Sequence, residues 1–367
     1  MHNHLPPELA LILREDSNLA LIENLDLSGC NLTGVCLRGA TVRNTSFQGA
    51  LLSKLDLREA MLQNCDFRHA NLEGANLSDA SIEASLFHHA ILSGANLRAA
   101  QWLDCDFLDA NLTRAQCQDS IFDRCKLDRA VFAQASLELA DCFHCSMQDT
   151  DFTRANLLRW SAPKSDLRHV SFEGACLDQA YLVQAKLQGQ DFAQCSLVLT
   201  MFDECDLSRA NFSGLLLSQT QFTEATLCGA DFSAVNADFV SFEKADLSRA
   251  LLSHATFDSC NFSHAKCEQS MAEGSVWVSC VLESTRCTTG NWSKTRFTYC
   301  DFSWADLSGS DFSHSSWQTC DQHAMTDAGT RWAGAKIKQV LATDVDLKSA
   351  QTWVAPDRLE NRLLGDS

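Results

Sequence analysis

The sequence predicts an all-β fold, a solenoid of about 16 square-sectioned coils with a short helical segment at each end. Three observations predict it. Phenylalanine recurs every twenty residues, at Phe132, Phe152, Phe172, Phe192, Phe212 and Phe232, and again at Phe47, Phe67, Phe87 and Phe107. An apolar residue stands at every fifth position from Ile22 to Leu347; of these 66 positions only Gln322 and Asp327 are polar. The residue two places earlier is small almost throughout, as in Ala70, Ala75 and Ala80, and 14 of the 16 glycines fall two places later. A long period nested on a short one means that five residues make one side and four sides make one coil.

Each position then has a role. The fifth-position residue is the centre of a side and points inward. The small residue before it fills a second inward slot. The residue two places after the centre is a tight corner, where glycine accepts a positive φ at little cost. A helix requires apolar residues near a 3.6 period and a strand near 2, so neither simple pattern accounts for a strict 5. Stacked coils pair backbone to backbone at about 4.8 Å, so identical side chains one coil apart form ladders and the shaft is roughly 79 Å long.

The units Ala-Asn-Leu-Glu-Gly (70–74), Ala-Asn-Leu-Ser-Asp (75–79), Ala-Asp-Leu-Ser-Arg (245–249) and Ala-Asp-Leu-Ser-Gly (305–309) resemble the pentapeptide-repeat family over about nine tenths of the chain. The resemblance implies a right-handed quadrilateral β-helix. It fixes fold rather than function, because function resides in sites grafted on a fold.

The domain expectation is a helical cap over 1–20, a β-helix over 21–351 and a helical tail over 352–367. The cap rests on Pro6-Pro7-Glu8 followed by Leu9, Ile12 and Leu13; in the tail, Pro356 introduces Leu359, Leu363 and Leu364 on one helical face. That tail covers the last coil or pairs with a second copy to form a homodimer. Two breaks are expected. Trp160 occupies a slot built for alanine and Pro163 lacks a ladder donor, which predicts a local bulge near 158–164 with Trp160 at least partly outside. Gln322 and Asp327 predict a looser wall at 320–327.

Met1-His2-Asn3-His4 lacks the basic region and apolar run of a signal peptide, and no 18-residue apolar stretch predicts a membrane span. Of 18 cysteines, 11 fill the small inward slot and Cys117, Cys142, Cys267 and Cys287 replace a centre residue. Such cysteines act as small hydrophobes, and a reduced, cytoplasmic protein is expected. The net charge of −18 argues against direct contact with nucleic acid or an anionic membrane. It suits a solvated surface, a basic protein partner or mimicry of DNA. Asp26, Asp66, Asp106, Asp166, Asp206 and Asp246 share one outward column, interrupted by Lys126, Lys186, Lys266 and Arg286.

One strip carries outward apolar residues in consecutive coils: Leu103, Ile121, Leu139 with Phe143, Leu158, Tyr181 with Val183, and Val198 with Leu199 and Met201. Trp160 lies in the same strip. A contiguous apolar patch marks a contact surface, so Leu139, Phe143, Leu158, Trp160, Tyr181, Val183, Val198, Leu199 and Met201 are the candidate partner-binding residues.

Catalytic chemistry is not expected. There is no P-loop, no GxGxxG after a strand, no HExxH and no nucleophile elbow, so no cofactor or metal centre is predicted. Cys142-Phe143-His144-Cys145 is a CxxC, but its phase puts both cysteines inward on adjacent sides with His144 at a corner, so the group should not converge. His69 and His89 should be corner neighbours. The sequence therefore reads as a non-enzymatic scaffold or adaptor that binds proteins. By resemblance, long family members with a short N-terminal helix are similar to accessory proteins of bacterial secretion systems, including type VI. The alternative, also by resemblance, is a DNA mimic acting on gyrase, as in family members that protect it from quinolones and dimerise through C-terminal helices. B-DNA of this length carries roughly 46 phosphate charges, which the net charge here falls well short of.

Overall fold

The computed structural model describes residues 20–353. The expected N-terminal cap and the segment from Pro356 to Leu364 lie outside them. The chain winds as a β-solenoid of about 16 turns. Wall one carries the centres Ile22, Val42 and Leu62, wall two Leu27 and Phe47, wall three Leu32 and Leu52, wall four Leu37 and Leu57, and all are buried.

Successive coils pair in parallel with a 20-residue offset, as in Asp26↔Ser46, Asn31↔Leu51 and Cys36↔Asp56. Each centre N–H donates to the next coil, for example Leu27 to Ser46 O at 2.7 Å and Leu32 to Leu51 O at 2.8 Å. The slot N–H closes the corner instead, as Cys30 N to Leu27 O at 3.1 Å. The residue just after the centre makes no such ladder bond. Its N–H is taken by the Asp or Asn just before the centre, as Thr33 N to Asn31 Oδ1 at 3.0 Å and Ser233 N to Asp231 Oδ1 at 2.8 Å. That Asx turn is the physical reason for the acidic or amide residue in the units that carry one.

The corner residues adopt positive φ. Fourteen glycines do so, but so do dozens of Asn, Asp, His, Arg, Lys and other residues, for example Asn64 at 53° and Arg129 at 54°. Ladder pairing on both flanks overrides the steric cost of about 1–2 kcal/mol per residue.

On wall one, strands β1 (Leu21–Glu23), β2 (Thr41–Arg43), β3 (Met61–Gln63), β4 (Ser81–Glu83), β5 (Gln101–Leu103), β6 (Ile121–Asp123) and β7 (Asp141–Phe143) form a seven-stranded parallel sheet. On wall four, strands β8 (Leu216–Ser218), β9 (Asn236–Asp238), β10 (Thr256–Asp258), β11 (Val276–Val278), β12 (Arg296–Thr298), β13 (Ser316–Gln318) and β14 (Lys336–Lys338) form a second.

Between β7 and β8 the ladder breaks along an oblique seam. Asp166 N–H does not reach Cys145 O, Asp191 N–H does not reach Val170 O, and Leu216 N–H does not reach Cys195 O. The bridges Ser146–Asp166, Ser171–Asp191 and Ser196–Leu216 are missing accordingly. Each gap lies one wall and one coil beyond the last. Oversized slot residues stand beside them: Trp160, Val170 stacked on Gln190, and Leu215. Gln190 turns its amide into the ladder, donating Nε2 to Val170 O at 2.9 Å in place of the lost Asp191 N–H. Overfilling a close-packed interior pushes its walls apart.

Three expectations are corrected. Trp160 is not outside: it is 0 % exposed, and its wall keeps register through Asp141↔Ser161↔Tyr181. The centres beside it, Cys142 and Ala162, are small, so the ring takes the volume they leave and donates Nε1 to Cys142 Sγ at 3.4 Å. Pro163 sits where the N–H makes no ladder bond, so it costs the wall nothing. At 320–327 the wall stays paired, with Asp301↔Asp321↔Leu341 and Asp306↔Thr326 intact. Gln322 N donates to Leu341 O at 2.9 Å, whereas no further coil among the described residues stacks on Asp327, which accepts from Trp332 Nε1 at 3.1 Å. Finally, helix α1 (Val345–Gln351) begins inside the span expected to be β-helix. Asp344 caps it by accepting from Asp346 N and Leu347 N, and buried His323 holds both ends, with Asp344 N on Nδ1 at 3.3 Å and Gln351 Oε1 against Nε2 at 2.9 Å.

Candidate protein-interaction surface

Wall one brings part of the apolar strip together. Tyr181 and Met201 are ladder partners, 41 % and 38 % exposed. Phe143, Pro163 and Val183 fill the position after the centre in three successive coils, each half-buried. These five residues form one patch. Pro163, missed as a contact residue from sequence, shows in its column: it lies 20 residues from both Phe143 and Val183.

The rest of the strip is not contiguous. Ile121 is exposed, but Asp141 and Ser161 stand between it and Tyr181 in the column. Leu103 neighbours Asp123 through the β5–β6 register. Leu158 and Val198 are half-buried on wall four with Asp178 between them, and Asp178 accepts from Val198 N at 2.9 Å and Ser196 Oγ at 2.6 Å. Leu139 and Leu199 are exposed corners separated by Arg159 and Gln179. Trp160 is buried and leaves the candidate set. Exposed Leu216, Phe239 and Tyr299 on the second sheet's wall were also missed. For Phe239 the signal was available: with Phe143 it is one of two phenylalanines out of core phase.

Two depressions lie along the seam, the first bordering the patch and the second at the corner of walls two and three. One of about 510 Å³ is lined by Phe143, His144, Cys145, Pro163, Lys164 and Tyr181 among others. Another of about 450 Å³ is lined by Arg168, His169, Glu173, Gln190, Asp191 and Gln194 among others.

Charges pair along the columns. Lys126 Nζ lies 3.2 Å from Asp106 Oδ2, Arg129 Nε 2.7 Å from Asp109 Oδ1, and Arg331 Nη2 2.8 Å from Asp311 Oδ2. The Arg58 guanidinium holds the Asp56 carboxyl below its ordinary range, and Arg168 does the same for Asp166. His69 and His89 stack at 5.0 Å, as expected of corner neighbours. No group of three His, Cys, Asp or Glu among the described residues is arranged to hold a metal ion.

All 18 cysteines are free. Half stand in ladders one coil apart (Cys105 to Cys145, Cys260 to Cys320, and Cys267 with Cys287), with Cys125 Sγ donating to Trp102 O at 3.4 Å and Cys280 Sγ to Phe257 O at 3.4 Å. Cys142 is a buried centre, Cys145 is half-buried in the next inward slot, and His144 stands exposed at the corner between them.

No helix among the described residues is long and apolar enough to cross a membrane. No curated protein matches the chain. Among solved structures it is similar to HetL, a pentapeptide repeat protein involved in heterocyst differentiation regulation from the cyanobacterium Nostoc, at 21% identity over 68% of this chain and 97% of that one, with a TM-score of 0.42. A pentapeptide repeat protein of the Arabidopsis thaliana thylakoid lumen matches at 18% identity over 37% and 67%, TM-score 0.22. Full-length QnrB1, a plasmid-mediated fluoroquinolone resistance protein, matches at 16% over 94% and 99%, TM-score 0.17. A family model for a pentapeptide repeat region matches residues 21–97, and one for pentapeptide repeats in eight copies matches successive stretches between 90 and 313. With five-residue sides, small inward slots and Asx-closed corners running through the same residues, the chain belongs to the pentapeptide-repeat family.

Proposed function

We propose that this chain is a non-catalytic, cytoplasmic scaffold or adaptor, a rigid acidic rod that binds partner proteins in the manner of a secretion-system accessory protein. The observation that carries this reading is the patch of Phe143, Pro163, Val183, Tyr181 and Met201 on wall one. Apolar residues from four successive coils adjoin there. The interior supports the same reading: it is filled with side chains, whereas catalysis calls for a concave, water-excluding pocket. Changing Phe143, Tyr181 and Met201 together to Ser should abolish partner recovery from the native cell while circular dichroism stays unchanged. Full recovery by the triple variant would remove the patch from the reading.

DNA mimicry toward gyrase is the second reading, supported by the net charge of −18. The column pairs Lys126–Asp106, Arg129–Asp109 and Arg331–Asp311 weigh against it, because they neutralise the rows that would imitate phosphates. A supercoiling assay separates the two: inhibition or protection at micromolar protein favours mimicry, and neither favours the scaffold.

A further inference from the structure

The corner column beside wall one reads His144, Lys164, Gln184, Glu204 and Glu224 in successive coils. Where opposite charges of this column stand one coil apart, they pair: Arg124 Nε lies 2.8 Å from Asp104 Oδ1, and Lys244 Nζ 3.2 Å from Glu224 Oε1. Lys164 and Glu204 stand two coils apart, roughly 10 Å. Gln184 lies between them and donates Nε2 to Glu204 Oε2 at 2.7 Å. Among the described residues neither Lys164 nor Glu204 enters an ion pair, whereas their neighbours His144, Asp166 and Glu224 all do. The ladder holds this edge rigid, with Lys164 N on Val183 O at 2.9 Å and Gln184 N on Asp203 O at 3.0 Å. It therefore presents a free cation and a free anion at equal distances from Gln184.

The apolar patch is arranged about the same level. Tyr181 and Val183 share the side that ends at Gln184. One coil before them, small Ser161 stands beside the depression of Phe143, Pro163 and Tyr181; one coil after them, Met201 projects. This level is also the middle of the shaft, since Leu182 lies midway between Ile22 and Leu341.

We propose that this face pairs with the same face of a second copy of the chain, the two rods lying antiparallel about a two-fold axis at Gln184. The inference rests on the patch being a contact surface and names its occupant. In a two-fold interface each residue meets the one equally far to the other side of the axis. Lys164 then meets Glu204 of the second copy, and Glu204 meets its Lys164. Met201 of each copy enters the depression beside Ser161 of the other, and Val183 lies against Val183. Both ion pairs use charges that have no partner within the chain, and the ladder has already fixed their spacing, so little order is lost in forming them. Parallel rods would set Lys164 against Lys164 and Glu204 against Glu204, so charge selects the antiparallel arrangement. The axis at mid-shaft lets the two rods run alongside each other from end to end.

Light scattering on the folded full chain at micromolar concentration should give twice the chain mass. Lys164→Glu and Glu204→Lys should each weaken self-association about tenfold, because each sets like charges across the axis twice. An equimolar mixture of the two variants should regain the double mass, since every facing pair is again opposite in sign. Circular dichroism checks the fold of each variant, and rescue by mixing excludes simple misfolding. A single-chain mass for the wild type would overturn the inference, as would a mixture that stays single. A double mass that survives both variants but is lost on deleting residues 356–367 would also overturn it and place the second copy on the C-terminal tail. The reading of the patch itself fails on a different result, full partner recovery by the triple variant of Phe143, Tyr181 and Met201.

Discussion

The closed coils and the seam coils are built from the same unit, yet they stack differently. Phe47, Phe67 and Phe87 lie 4.7 and 4.8 Å apart with near-parallel rings. Phe152, Phe172 and Phe192, in the same ladder phase, lie 6.0 and 6.1 Å apart. In the first set every backbone pairing is made, so strand spacing fixes ring spacing. In the second, Val170 and Gln190 occupy slots that Ala130 and Ala210 fill elsewhere in the column, and the pairing between those coils is lost. The rings loosen one coil before the backbone does: Phe152 N still donates to Ser171 O at 2.8 Å although Phe152 and Phe172 lie 6.0 Å apart.

The largest effect that would sharpen this contrast is a ring deletion in each region. Phe67→Ala should cost about 5 kcal/mol and Phe172→Ala about 3 kcal/mol in urea unfolding, because the looser site gives up fewer contacts and collapses more readily. Equal costs would mean that the seam is as well packed as the closed coils. Next comes Gly290, the glycine that serves a slot rather than a corner among the described residues: an added Cβ would stand 2.7 Å from Trp292 Nε1 and 2.9 Å from Ser270 O. Gly290→Ala should lower stability by about 1–3 kcal/mol, which would open a second seam in a closed region.

Gln190→Ala tests the cause of the seam. It should restore amide-exchange protection at Phe172 and Asp191, with a stability change within about 1 kcal/mol. Unchanged exchange there would move the cause elsewhere. At a corner, Gln179→Gly should stabilise by about 0.5–1 kcal/mol by relieving its positive φ. The smallest effect is on pH. Asp56 and Asp166 are held below the ordinary carboxylate range by Arg58 and Arg168. Their contribution is therefore full above about pH 4 and fades as pH falls through the depressed folded values. These are exposed pairs, so 0.5 M salt should flatten that slope.

The architecture was legible because a period of five leaves the chain few choices. Centres, slots and corners are all visible in the residue types, and so is the stacking of His69 on His89. Trp160 was misread because its accommodation depends on two small centres, Ala162 beside it in the chain and Cys142 one coil earlier, whose shared space shows only once the coils stack. The seam was illegible for a related reason. Leu55, Val235 and Val240 fill slots as bulkily as Val170, yet their walls stay paired, so slot size alone does not mark the seam. The strip was half legible: column arithmetic placed Tyr181 beside Met201, but intervening Asp178 and Arg159 divide the rest.

The first sheet lies on wall one and the second on wall four, which adjoin at a corner. The two flat ribbons of the rod are thus a quarter turn apart. A stiff partner lying straight along the shaft can rest on a hydrogen-bonded ribbon over one half of its length and must meet a bridged, more angular wall over the other. A partner that follows the ribbons has to bend around the edge at the seam, next to Tyr181 and Met201.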